Sequence, residues 1–262
     1  MGEMIGAPEP WQMWHQPTAS PVAEALADFN SMLTIIITVI TLLVFALLIF
    51  VIVRFNHRAN PTPSRTSHHT LLEIAWTTLP VLILIVIAIP SFRILYFSDR
   101  QAEFDMTLKI IGRQWYWDYE YPDYGDFTVT SYMVADEDIA EGQRRTLDVD
   151  NPIYLPVGVT IQLLVSGGDV IHSWGVPSLG FTQDAIPGRV NEFWVRIERE
   201  GVYYGQCREL CGTGHAFMPI VVRAVPKPEF DAWIETLQAM HSGENDKKQV
   251  AFAGHGEREN QQ

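Results

Sequence analysis

Between Met32 and Val53 the chain runs for 22 residues without a charge, a glycine or a proline. As a helix that run is about 33 Å long, the thickness of a bilayer's hydrocarbon core, and it predicts a transmembrane span. A second charge-free run, Ile74 to Phe92, holds Pro80 and Pro90, which remove backbone donors and bend a helix locally. A buried helix of a soluble protein is the competing reading for this second run, but two closely spaced spans predict a helical hairpin. The segment between them carries Arg54, Arg58 and Arg65 with no acid before Glu73, whereas residues 1–31 carry Glu3, Glu9, Glu24 and Asp28 and no Lys or Arg. Positive charge stays on the inner side, so the connecting loop is expected on the cytoplasmic or matrix side, with both termini and everything after Ser98 outside. Residues 1–31 lack the basic and apolar regions of a signal peptide.

The expected organisation is an N-terminal tail and hairpin over 1–97, a water-facing domain over 98–241, and a mobile polar tail over 242–262. Of the formal net charge of -13, the part after residue 98 carries -12. Such a surface repels phosphate backbones, which excludes nucleic acid and favours a basic protein or a cation. The runs Met106 to Arg113, Trp115 to Tyr121, Val159 to Val165, Val190 to Ile197 and Pro219 to Val225 read as strands separated by Gly, Pro and Asp clusters. They predict a small antiparallel sandwich or barrel. Trp115, Trp117, Tyr119 and Tyr121 fall on one face of a strand, and Phe230, Trp233, Ile234, Leu237 and Met240 recur at helical spacing.

The cysteines are Cys207 and Cys211 alone, outside the membrane where a disulfide is permitted. Closing so short a loop would stabilise the fold by only about 2 kcal/mol. The surrounding run is Cys207-Arg-Glu-Leu-Cys211-Gly-Thr-Gly-His215-Ala-Phe-Met218, and His172 follows Ser166-Gly167-Gly168-Asp169. Thiolate and thioether are soft donors that favour copper, while zinc would be satisfied by two Cys and two His and leaves Met218 unexplained. A single-copper site has one thiolate too few for this set. Two sulfurs bridging two copper ions would use all of it.

At these residues the sequence resembles subunit II of the haem-copper cytochrome c oxidases. The resemblance extends over the hairpin, Gln114-Trp115-Tyr116-Trp117, Asp184-Ala-Ile-Pro-Gly-Arg189-Val-Asn191 and the copper loop. It implies an all-β cupredoxin-like Greek-key barrel with a short C-terminal helix. It also implies a binuclear copper centre, CuA, held by His172, Cys207, the backbone carbonyl of Glu209, Cys211, His215 and Met218. Quinol-oxidizing relatives lack these ligands, so cytochrome c is the implied donor. The implied acceptor is the haem of subunit I, where oxygen would be reduced to water.

The same resemblance makes Trp115 the point where electrons enter, and makes the Glu209 side chain a ligand of a magnesium ion shared with subunit I. It places Glu73 at the mouth of a proton path, and Glu120, Asp150 and Asp169 where cytochrome c docks. From the residues alone, Thr70-Leu-Leu-Glu73 also fits a capping box, and the net -8 between Asp118 and Asp150 would steer a basic donor. The competing functional reading is a membrane-anchored copper chaperone or thiol oxidoreductase of the oxidase-assembly type, which also uses Cys-x-x-x-Cys plus His. A structural subunit with a vestigial domain is a third.

Overall fold

The computed structural model describes residues 5–99, 103–125 and 127–241; the tail expected over 242–262 lies outside them. Residues 5–24 group with the described residues after Asp99 in one compact unit, and Ala25–Asp99 form another. The N-terminal tail therefore belongs with the water-facing domain rather than with the helices, because it is hydrogen-bonded there. Gly6 N–H donates to Val202 O at 3.2 Å, and Ala19 N–H to Ser178 O at 2.8 Å.

Helix α1 spans Pro21–Arg54 and α2 spans Thr70–Ser98. Both are long and apolar enough to cross a membrane, and none of their most apolar stretches is buried. That exposure removes the soluble-core reading of the second run. Ser20 caps α1, its hydroxyl accepting from Ala23 N–H at 3.1 Å, with Pro21 at the first helical position where its missing donor costs nothing. The cap of α2 is one residue earlier than the sequence motif suggests. His69 is the cap: its Nδ1 accepts from Leu72 N–H at 3.4 Å, and Glu73 Oε1 accepts from His69 N–H at 3.1 Å. The bond from carboxylate to cap is the one a capping box uses, moved on by one position.

The other unit is a sandwich of two five-stranded sheets. One sheet has the order β3-β2-β1-β5-β8, from Thr128–Ser131, Tyr116–Glu120, Met106–Arg113, Thr160–Gly167 and Asn191–Arg196. The other has the order β4-β10-β9-β6-β7, from Ile153–Pro156, Pro219–Val225, Gly201–Cys207, His172–Val176 and Phe181–Ala185. It is not purely antiparallel as expected: β1 runs parallel to β5, and β10 parallel to β4. Strict alternation in β1 and β5 turns Leu108, Ile110, Ile161, Leu163 and Val165 into the core with no exposed surface. Each such side chain contributes about 1.5–3 kcal/mol.

The alternation expected from Trp115 to Tyr121 holds only from Trp117 onward. Trp117, Tyr119 and Tyr121 are fully buried, while Trp115 precedes β2 and is half-buried. The C-terminal helix α3 covers residues 227–241. Phe230 and Ile234 are buried beneath it, but Met240, expected on the same face, is exposed.

Candidate metal centre

The donor cluster lies at one end of the second sheet. Cys207 closes β9, His172 opens β6, and Met218 immediately precedes β10. Between β9 and β10 the loop 208–214 carries Glu209 and Cys211, and His215 opens a short 3-10 turn. Pairing of Trp174 with Cys207 brings the distant His172 to the loop. One ring nitrogen of His172 and the sulfurs of Cys207 and Cys211 all lie within 4.8 Å of one another.

The two sulfurs are 3.9 Å apart, far beyond a disulfide bond, and both thiols are free. Around Cys211, His215 Nδ1 lies at 3.7 Å and Met218 Sδ at 3.5 Å. The carbonyl of Glu209 is 3.3 Å from the Cys207 sulfur. All six donors named from the sequence are thus in one place. Glu209 itself is exposed.

Two features fit a bound metal. Nδ1 of His172 is buried without a hydrogen-bond partner among the described residues, although such atoms are ordinarily satisfied. Its other nitrogen, Nε2, is 2.8 Å from Asp169 Oδ1, the carboxylate-to-imidazole support that fixes a metal-binding ring. Second, burial pushes both thiols up. The adjacent His172 imidazole nonetheless brings Cys207 down to about 7, while Cys211, facing the Cys207 sulfur, is pushed up to about 12. The pocket holds one negative sulfur readily and resists two. A cation between them removes that repulsion.

Three neighbours complete the setting. Trp115 Nε1–H and Gln114 Nε2–H both donate to the carbonyl of Cys211, at 3.2 and 2.9 Å. The indole of Trp115 lies so close over Gly214 that a Cβ there would sit 2.3 Å from it. Asp169 accepts from Gln114 N–H at 2.7 Å and Val170 N–H at 2.6 Å as well as meeting His172. Burial opposes its charge, but these bonds hold it below the usual carboxylate range.

The remaining residues named from the sequence lie elsewhere. Glu120 is ion-paired with Lys109 at 2.6 Å. Asp150 accepts from Tyr132 N–H at 2.8 Å and Asn151 N–H at 2.7 Å. Glu73 is in the separate helical unit.

Residues 106–225 match the family described as cytochrome c oxidase subunit II, periplasmic domain, and residues 8–94 match its transmembrane domain. The chain belongs to the cytochrome c oxidase subunit II family. A probable cytochrome c oxidase subunit 2 of Rickettsia bellii is 51% identical over 241 residues, covering 92% of this chain and 90% of that one. The cytochrome c oxidase subunit 2 of Arabidopsis thaliana is 43% identical over 244 residues, covering 91% and 94%. The crystal structure of the periplasmic domain of subunit II of cytochrome oxidase (CoxB) of Bradyrhizobium japonicum is 47% identical. It aligns with a TM-score of 0.50 over 53% of this chain and 97% of that one.

A subunit II is one component of an oxidoreductase complex and works beside other oxidase subunits. Two apolar helices ahead of a cupredoxin-like sandwich are what the family prescribes. Membership also disfavours the chaperone or thiol oxidoreductase reading.

Proposed function

We propose that this subunit II holds a binuclear copper centre through His172, Cys207, the carbonyl of Glu209, Cys211, His215 and Met218. Through it the subunit accepts single electrons from cytochrome c and passes them to the haem of subunit I, where oxygen is reduced to water. The observation that carries the reading is the convergence of two free thiols, a thioether and an unpartnered imidazole nitrogen on one buried spot. These residues would hold the copper, which when bound would supply a one-electron couple for the transfer.

The chain's own residues prepare that spot. Asp169 orients His172, the paired strands β6 and β9 hold it against Cys207, and the sandwich excludes water from the sulfurs. Trp115 is the point of electron acceptance: it is half-buried, and its N–H contacts the carbonyl of Cys211. The acids between Asp118 and Asp150, with Glu120, Asp150 and Asp169, attract a basic donor over roughly a Debye length, about 8 Å at physiological salt. The exposed carboxylate of Glu209 is suited to a magnesium ion shared with subunit I, a hard cation that takes oxygen ligands. Glu73 serves a proton path. The arginine-bearing loop after α1 lies on the inner side, and both termini and the copper domain on the outer side.

The test is the paramagnetic resonance spectrum of the full chain loaded with copper. An unpaired electron shared equally by two copper nuclei is expected. A spectrum of isolated single coppers, or no uptake, refutes the reading.

A further inference from the structure

Trp117 reaches the centre from the opposite sheet and touches two of its donors. Its ring meets the His172 imidazole edge to face, with centroids 6.0 Å apart at 64°. Its indole N–H donates to the backbone carbonyl of Met218 at 3.2 Å. Directly across from it in β1 stands Gly112, where a Cβ would lie 2.8 Å from the Cβ and Cγ of His172. His172 thus sits between a position that must stay empty and one that a large ring fills.

Core packing accounts for a fully buried tryptophan, but not for the destination of its one polar atom. A buried indole N–H needs an acceptor, and this one takes the carbonyl of the donor least able to fix itself. A thioether is neutral, and its side chain has three rotatable bonds. Where its sulfur can reach is therefore set by where its Cα is held. Met218 Sδ lies 3.5 Å from the Cys211 sulfur, so a small shift of the Met218 backbone would change that approach.

We propose that Trp117 is a positioning residue of the copper centre. Its ring fixes the imidazole of His172 and its N–H fixes the backbone of Met218, so one side chain from the first sheet sets two donors of the second. The proposal rests on the copper reading above.

The test compares wild-type full-length protein, Trp117→Phe, and a variant with benzothienylalanine at 117, which keeps the indole's shape but has sulfur in place of N–H. Copper affinity by competition with a chelator and the paramagnetic resonance spectrum are recorded for each, with circular dichroism to establish folding. In the isosteric variant copper affinity is expected to fall about tenfold, as loss of an outer-shell partner does, and the electron to become unequally shared between the coppers. The isostere keeps the test decisive should Trp117→Phe fail to fold. Wild-type affinity together with an unaltered spectrum in the folded isostere overturns the proposal while leaving the copper centre standing. No copper uptake by the wild type overturns both.

Discussion

Trp115 donates its indole N–H to the carbonyl of Cys211 at 3.2 Å, which places a half-buried aromatic ring one hydrogen bond from the backbone of a proposed copper ligand. Trp115→Phe retains a ring over Gly214 and removes that bond. Oxidation of cytochrome c by the assembled oxidase is expected to slow at least about tenfold in kcat with little change in KM, the signature of a lost transfer step rather than lost binding. Steady-state kinetics checks this, and a wild-type kcat would remove Trp115 from the route.

Gly112→Ala places a methyl group 2.8 Å from His172. Overpacking of this kind costs about 1–3 kcal/mol, and the group that must move is a proposed copper donor. Thermal unfolding of the copper-free protein should show the modest loss, while copper titration should show a larger one, about tenfold in affinity.

Asp169 and Glu120 are separable by experiment. Asp169→Asn puts an amide N–H against one of the donors that the carboxylate now accepts from, so the copper spectrum should change and copper affinity fall about tenfold. Glu120 is ion-paired with Lys109 on the strand next to it. Glu120→Gln should leave the spectrum intact and raise KM for cytochrome c about twofold to threefold at low salt, an effect that fades as salt screens it.

Glu209→Ala keeps the carbonyl near Cys207 and removes an exposed carboxylate. The assembled variant should retain copper and lose the manganese resonance signal that reports the magnesium site. An unchanged manganese spectrum would exclude Glu209 as its ligand.

Glu73→Gln preserves an acceptor for His69 N–H but abolishes an ionisable group. The helix should persist by circular dichroism while the proton-coupled reduction step slows about tenfold or more. A normal rate would confine Glu73 to its cap.

The spans were legible because an uncharged run of 22 residues has few other uses. Strands β1 and β10 were legible to the residue, β1 through its alternation. Other strands left no such trace. In β6, His-Ser-Trp-Gly-Val, every residue is buried, so alternation is lost, and β9 carries Gly201 and Gly205 where a strand pattern expects side chains. The parallel pairs join segments far apart in sequence, and no local pattern encodes them. The candidate donors, two Cys, two His and a Met, stood out in the sequence by their chemistry, and the fold brings them together. What surrounds them did not stand out, although the isolated Gly112 inside a strand run is the usual mark of a close approach. Asp169 was named only as a docking residue for cytochrome c, because its bonds to Gln114 N–H and the His172 ring form only on folding.

Cys207, Glu209, Cys211, His215 and Met218 lie on one continuous stretch and can find each other in a nearly unfolded chain. His172 and Trp117 arrive only when β6 has paired with β9 and the first sheet has closed over the second. On the proposed copper reading, tight binding of the metal therefore reports a completed sandwich, and the centre doubles as a check on the folding of the domain that carries it.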